Sequence, residues 1–215
     1  MRARKTGGIG ARTGTVMITR NIFLAVLLTA LPLGNAFAAT WIVTGTGDTA
    51  SACTGNSCPT LRDAINTAVS GDTIQFDPSI DGGTIALSQY SNDTSVGSTE
   101  FGPSAFFVAH NTTLFIDGET GLTRGIAIAR DTSKVPFRLF DVENGSRLTL
   151  HGLTFKDGLA QGFGSDSGGG SLGAGGAIFN QGTVDIDSCT FTGNAAQGGG
   201  SIIVSSTSGG GGVGA

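Results

Sequence analysis

The chain has 215 residues, a formal net charge of -4 and 13% charged residues, so it carries neither the basic footprint of a nucleic-acid binder nor a charge-driven disordered tail. Glycine fills 37 positions without a G-X-Y period, and 39% of residues are hydrophobic, which excludes a collagen and a wholly disordered chain. A folded, turn-rich, all-β domain is the expectation.

The chain opens with Arg2, Arg4, Lys5, Arg12 and Arg20, then the apolar run IFLAVLLTALPL, then Ala36-Phe37-Ala38. A basic head, a short apolar core and a small-x-small site predict a secretory signal peptide over residues 1–38. The apolar run falls short of the roughly 20 residues that a spanning helix needs. Met17 is an alternative start, with Arg20 as its charge. Export leads to an oxidising compartment, where Cys53 and Cys58, in the loop CTGNSC, are placed to pair. Metal binding is the competing reading of those two thiols, with no histidine close by. Cys189 is then left over.

Residues 39–80 predict an N-terminal cap. TWIVTGTGD reads as a strand, the cysteine loop follows, and at PTLRDAINTAVSGD the period becomes helical. Leu61, Ile65 and Ala68 share a face, Thr60 and Asp63 have capping-box spacing, and Gly71 stands where a left-handed C-terminal cap belongs. One helix is expected from Leu61 to about Val69. DTIQF returns to strand, with Ile74 and Phe76 on one side. IALSQY, FFVAH, TTLFIDG and GIAIAR continue as short β-type runs separated by turn residues.

RLTLHGLTFKDG (147–158) placed beneath TVDIDSCTFTGN (183–194) aligns Leu148 with Val184, Leu150 with Ile186, Leu153 with Cys189 and Phe155 with Phe191. This is an internal repeat. The step of three from Leu150 to Leu153, and from Ile186 to Cys189, changes which side faces inward and predicts a corner. Repeated coils of this kind stack equivalent strands in parallel about 4.8 Å apart, which predicts a parallel β-helix over 81–205. Cys189 replaces Leu153 in an apolar column and is expected in the core, with a free reactive thiol as the rival. The apolar helix face would cover the exposed first coil. The glycine-rich tail, 206–215, reads as truncated.

Two stretches carry a resemblance. Gly175-Gly176-Ala177-Ile178 matches a GGA[ILV] tetrapeptide and Phe191-Thr192-Gly193-Asn194 an F-x-x-N tetrapeptide, in order and with GTVDI between them. The unit resembles the repeat of the polymorphic outer membrane protein family. CPTLRDAINTAVSGDTIQFDP is similar to the leader module built around a C-S-L-R-E-A string, with Pro59 intervening, threonine for serine and aspartate for glutamate. The resemblance implies a right-handed parallel β-helix exported by a bacterium and displayed at the cell outer membrane or beyond it as an adhesin or passenger. It implies as partners a host or neighbouring cell surface, or a matrix glycan or protein, and an outer-membrane translocator not encoded in this chain. No cofactor is expected. In such a unit the glycines allow close bends, Phe191 fills the core, and Asn194 sits at a corner with its amide free to bond the same asparagine of the next coil. The insertion Gln161–Ala174 would project towards partners.

The alternative is a polysaccharide-active β-helix enzyme of the pectate-lyase kind, needing carboxylates for calcium or acid–base work and a cation near the substrate. Asp117, Glu119, Arg124, Asp131, Lys156 and Asp157 are its candidates, with solvated turns as their plainer reading. His110 and His151 lack a nucleophile motif and receive no role beyond a corner position for His151. Asn92, Asn111 and Asn144 head N-x-[ST] strings of the kind that turn-rich composition produces.

Overall fold

The computed structural model describes residues 38–91, 101–164 and 170–200, together with the backbone of 212–213. Residues 1–37 of the expected signal peptide and Asn92 therefore lie outside the described residues. Alternating and β-branched runs form strands β1 (Thr40–Val43) and β2 (Ser57–Cys58), followed by helix α1 (Leu61–Thr67) and β3 (Thr73–Phe76). A 3₁₀ turn, Pro78–Ile80, leads to β4 (Thr84–Leu87), β5 (Ser104–Val108), β6 (Thr113–Asp117), β7 (Ile126–Arg130) and β8 (Arg138–Val142). Next come β9 (Arg147–His151), β10 (Leu153–Lys156), β11 (Leu159–Gln161), β12 (Gly173–Ala174) and β13 (Ile178–Asn180). The last are β14 (Thr183–Asp187), β15 (Thr190–Thr192), β16 (Ala195–Gln197) and β17 (Gly212–Val213). The fold is mostly β, as composition and patterning lead one to expect.

Sequence neighbours do not pair as hairpins. The sheets run β14-β9-β6-β3-β1-β2, β15-β10-β7-β4 and β13-β8-β5, with β11-β16 and β12-β17 as two-stranded pairs. Every strand pairing in the described residues is parallel; the antiparallel exception is the isolated bridge Thr54↔Ser57 in the cysteine loop. Parallel pairing without hairpins requires a long crossover between partners. The register follows the internal repeat: Leu148↔Val184 and Leu150↔Ile186 on one sheet, Phe155↔Phe191 on the next.

The side chains between the sheets form one apolar cluster, with Ile74, Ile116, Leu148 and Leu150 from the first sheet, Ile85, Ile128 and Phe155 from the second, and Phe106 and Phe140 from the third. Phe140 meets Phe155 edge-on at 6.0 Å between centroids, and Phe155 stacks on Phe191 at 5.0 Å. β14 and β15 stand at sheet edges, and the burial there falls off. Ile186 is 50% and Phe191 41% exposed. Cys189, expected inside, is half-buried and packs against the cluster from its rim.

The expected corners are formed by left-handed backbone. Gly152 (φ 64) and Ser188 (φ 55) follow β9 and β14, and Asp157 (φ 58) and Gly193 (φ 67) follow β10 and β15. Equivalent positions of the repeat thus share a conformation that L-residues adopt only at a cost.

At the other end, α1 is shorter than the helical pattern suggested. Thr60 Oγ1 accepts from Asp63 N at 3.1 Å, as a cap should, but Asp63 returns its carboxylate to Thr60 Oγ1 and Ser51 N and not to the Thr60 backbone. The helix stops at Thr67, where Ala68 is extended, and Gly71 takes its positive φ beyond the cap. Leu61 and Ala64 are fully buried, with Ile65 and Ala68 packed against the same cluster. β1 and β3 join the six-stranded sheet, so the capping segment also supplies strands.

Candidate functional site

Among the described residues, several ionisable side chains meet at the corner after β6, β9 and β14. Asp117, His151 and Asp187 occupy the same rung of these three adjacent strands. Because the register is shared, all three side chains leave on the same side. His151 Nδ1 lies 3.2 Å from Asp117 Oδ1, and Nε2 lies 2.8 Å from Glu119 Oε2 and 3.3 Å from Asp187 Oδ2. The Phe115 ring flanks the imidazole at 6.5 Å.

The two ends of this ladder are held differently. Asp117 is buried, and its Oδ1 accepts from Glu119 N and Thr120 N while Oδ2 accepts from Gln75 Nε2 at 3.0 Å. Burial works to raise its pKa, but the hydrogen bonds from Thr120, Glu119 and Gln75 outweigh it and hold the carboxyl at about 2. Glu119 and Asp187 have side chains 58% and 77% exposed. The hydrogen bond to Asp117 raises the His151 pKa; burial opposes it, and the charges of Glu119, Asp117 and Asp187 add to it.

Such a group is badly suited to proton transfer. A carboxyl held near 2 is no general acid at neutral pH, and an imidazole with both nitrogens against carboxylates has no free nitrogen to act as a base. It is well suited to joining strands. Among the described residues, no three or more His, Cys, Asp and Glu side chains are placed to hold a metal ion.

The sequence candidates are scattered. Asp117 and Glu119 belong to the ladder. Arg124 lines a cleft of about 230 Å³ with Glu119, Thr123 and Ser188, but it bonds the Asp81 carbonyl at 2.6 Å and lies 3.5 Å from the Asp81 carboxylate. Asp131 caps its own turn through Ser133. Asp157 stands at the other corner, where its carbonyl accepts from Arg130 Nε at 2.8 Å. Lys156 ends β10. Asp131, Lys156 and Asp157 thus stand at the ends of strands of the second sheet, and the ladder at the ends of those of the first. His110 touches the Asn144 carbonyl, and Asn111 and Asn144 are exposed.

The motif residues have structural duties. Cys53 and Cys58 are joined as a disulfide. At Gly176 a Cβ would strike the Ala195 backbone, and at Gly158 it would strike the Gly176 carbonyl, so this corner admits only glycine at both. The Ala177 carbonyl accepts from Leu139 N at 3.0 Å and Phe140 N at 2.9 Å, and Ile178 pairs with Phe140. Asn194 does not bond an asparagine ladder: its Oδ1 accepts from Gly158 N at 2.9 Å and its Nδ2 donates to Phe155 O at 3.0 Å. Glycine stands where the preceding asparagine would be, so the amide bonds the backbone. The left-handed residue there is Gly193.

Sequence reasoning missed two buried cations. Arg62 on α1 donates from Nε to Asp48 at 2.8 Å, from Nη1 to Ala105 O and from Nη2 to Gln89 O, with its guanidinium 4.9 Å over Phe106. Asp48 also accepts from Ser88 N and Gln89 N. Arg138 is fully buried, with Nη2 on the Gly102 carbonyl at 2.6 Å and its guanidinium over Phe179. Burial lowers its pKa to about 10 against the opposing charge of Asp141.

The insertion is narrower than expected, since Gln161 belongs to β11 and Gly173–Ala174 form β12. At its root Phe163, 54% exposed, borders a cleft of about 370 Å³ with Tyr90, Val135 and Gln161. No family model, no curated protein and no solved structure matches this chain.

Proposed function

We propose that the chain is an exported bacterial surface protein, a right-handed parallel β-helix with an N-terminal capping helix, that serves as an adhesin or displayed passenger. The supporting observation is the register: the repeat aligned by apolar pattern is the repeat that pairs, with Leu148↔Val184 and Phe155↔Phe191 in parallel. Gly175 and Gly193 of the two tetrapeptides turn the chain with left-handed backbone, while Ile178 and Phe191 lie in the strands beside those turns, an arrangement that suits a stacked coil. The Cys53–Cys58 disulfide suits an oxidising compartment outside the cytoplasm. Its partner is a cell surface or a matrix glycan or protein, met at the rim where Tyr90, Val135 and Phe163 are exposed.

The test is binding of the purified chain to cells and immobilised matrix. Tyr90→Ser with Phe163→Ser should weaken it about tenfold, the loss of one or two aromatic anchors. Adhesion unchanged by that pair of substitutions places the binding surface elsewhere. The glycan-cleaving alternative draws on the cleft beside Glu119 and Arg124. Turnover of uronate polymers with calcium, abolished by Glu119→Gln, would establish it.

A further inference from the structure

The ladder at the first corner has a feature that neither display nor cleavage uses: one imidazole on β9 is shared by carboxylates from β6, from the turn that follows it, and from β14. We infer that His151 is a proton-operated clasp that fastens the edge strand β14, through β9, to β6.

The argument begins with donors and acceptors. An imidazolium donates from both nitrogens, whereas a neutral ring donates from one and presents a lone pair at the other. Nδ1 faces Asp117, and Nε2 faces Glu119 and Asp187. Each of the three carboxylates, when ionised, can accept but not donate. With the ring charged, every contact is attractive. With it neutral, one nitrogen aims a lone pair at a carboxylate, and three anions remain close together with no positive charge between them. Other nearby groups do not replace that charge. Gln75 is neutral and spent on Asp117, the Phe115 ring is apolar, and Arg147, four residues upstream on β9, pairs with Asp185 at 2.7 Å. Arg124, across the cleft from Glu119, is engaged by Asp81.

The consequence falls on β14. Among the described residues it has β9 as its single strand neighbour, and its Ile186 is half exposed, so fewer contacts hold it than hold β6 or β9. Asp187 ends this strand and is the clasp's outermost member. The sign follows from the raised His151 pKa: the folded state binds the proton more tightly than the unfolded one. The added stability is complete below the unfolded value of about 6.5 and is lost as pH rises through the higher folded value.

Two measurements on the purified chain test this. The His151 ring, followed by NMR, should titrate above about 6.5; a midpoint at or below that value overturns the clasp. Amide exchange in residues 183–187, corrected for intrinsic rates, should lose about three- to tenfold protection between roughly pH 5.5 and pH 8.5. His151→Gln should flatten that dependence, and His110→Gln, outside the ladder, should keep it. Protection that does not change with pH in the unaltered chain, or that changes equally in His151→Gln, overturns the inference.

Discussion

The two ends of the stacked sheets are finished in opposite ways. At the N-terminal end α1 lays Leu61 and Ala64, both fully buried, against the apolar cluster, and Arg62 is drawn in with them to meet Asp48. At the other, β14 and β15 leave Ile186 and Phe191 half open, although both occupy the same columns as buried Leu150 and Phe155. The chemistry along a column is constant; what differs is whether a neighbour covers it. A position in a stacked sheet therefore takes its energetic weight from its place in the stack more than from its residue type.

The largest effect should come from the closed end. Arg62→Ala leaves Asp48 buried and unpaired, and breaking a pair of that kind costs about 3–5 kcal/mol. Arg147→Ala, which removes an ion pair of similar length between side chains 56% and 45% exposed, should cost less than about 1 kcal/mol. Denaturant midpoints measure both, and losses of equal size would erase the difference between the ends. The aromatic column makes the same point with residue type held fixed. Phe155→Ala should cost about 3–5 kcal/mol, because it empties a site between Phe140 and Phe191. Phe191→Ala should cost about 1 kcal/mol, since much of that ring is already in water. Comparable losses would mean that Phe191 is covered in solution.

How much of this was legible in the sequence depended on whether a feature repeats. Leu148 with Val184 and Phe155 with Phe191 are visible because strand period and repeat period both write themselves into one alignment. The corner at Gly152 and Ser188 shows as the step of three between Leu150 and Leu153. Arg62 gave no such signal: its partner Asp48 lies in an irregular segment, and a charge on a short helix ordinarily faces solvent. The His151 ladder was half visible. The alignment already sets His151 above Asp187, but Asp117 belongs to a segment with no aligned repeat, so a lone corner histidine gave no reason to look for a third member.

Asn194 tests how firmly the corner after β15 is tied back to the neighbouring strand β10. Its amide bonds Gly158 N and Phe155 O, and Asn194→Ala leaves both backbone groups short of a partner. A loss of about 1–2 kcal/mol is expected. Asn194→Asp should recover only the half that accepts from Gly158 N, since a carboxylate cannot donate to Phe155 O. Full recovery would show that the carbonyl finds another donor, and that this corner is looser than its geometry implies.

The smallest effect concerns the same corner in two successive turns of the repeat. Gly152 and Ser188 both adopt a left-handed backbone, but only the serine carries a Cβ that opposes it. Ser188→Gly relieves a conformational cost of about 1–2 kcal/mol while adding unfolded-state freedom worth about 0.5–1 kcal/mol, so a net gain of about 0.5–1 kcal/mol is expected from thermal unfolding. The reverse exchange is not symmetrical. At Gly152 a Cβ would sit 2.8 Å from the Glu119 Cβ, so Gly152→Ser meets a packed neighbour as well as a disfavoured φ. Should Ser188→Gly instead destabilise, the hydroxyl would have to be holding the bend, through its 3.4 Å contact with Asp187, and the open end would be more tightly organised than its exposed apolar side chains indicate.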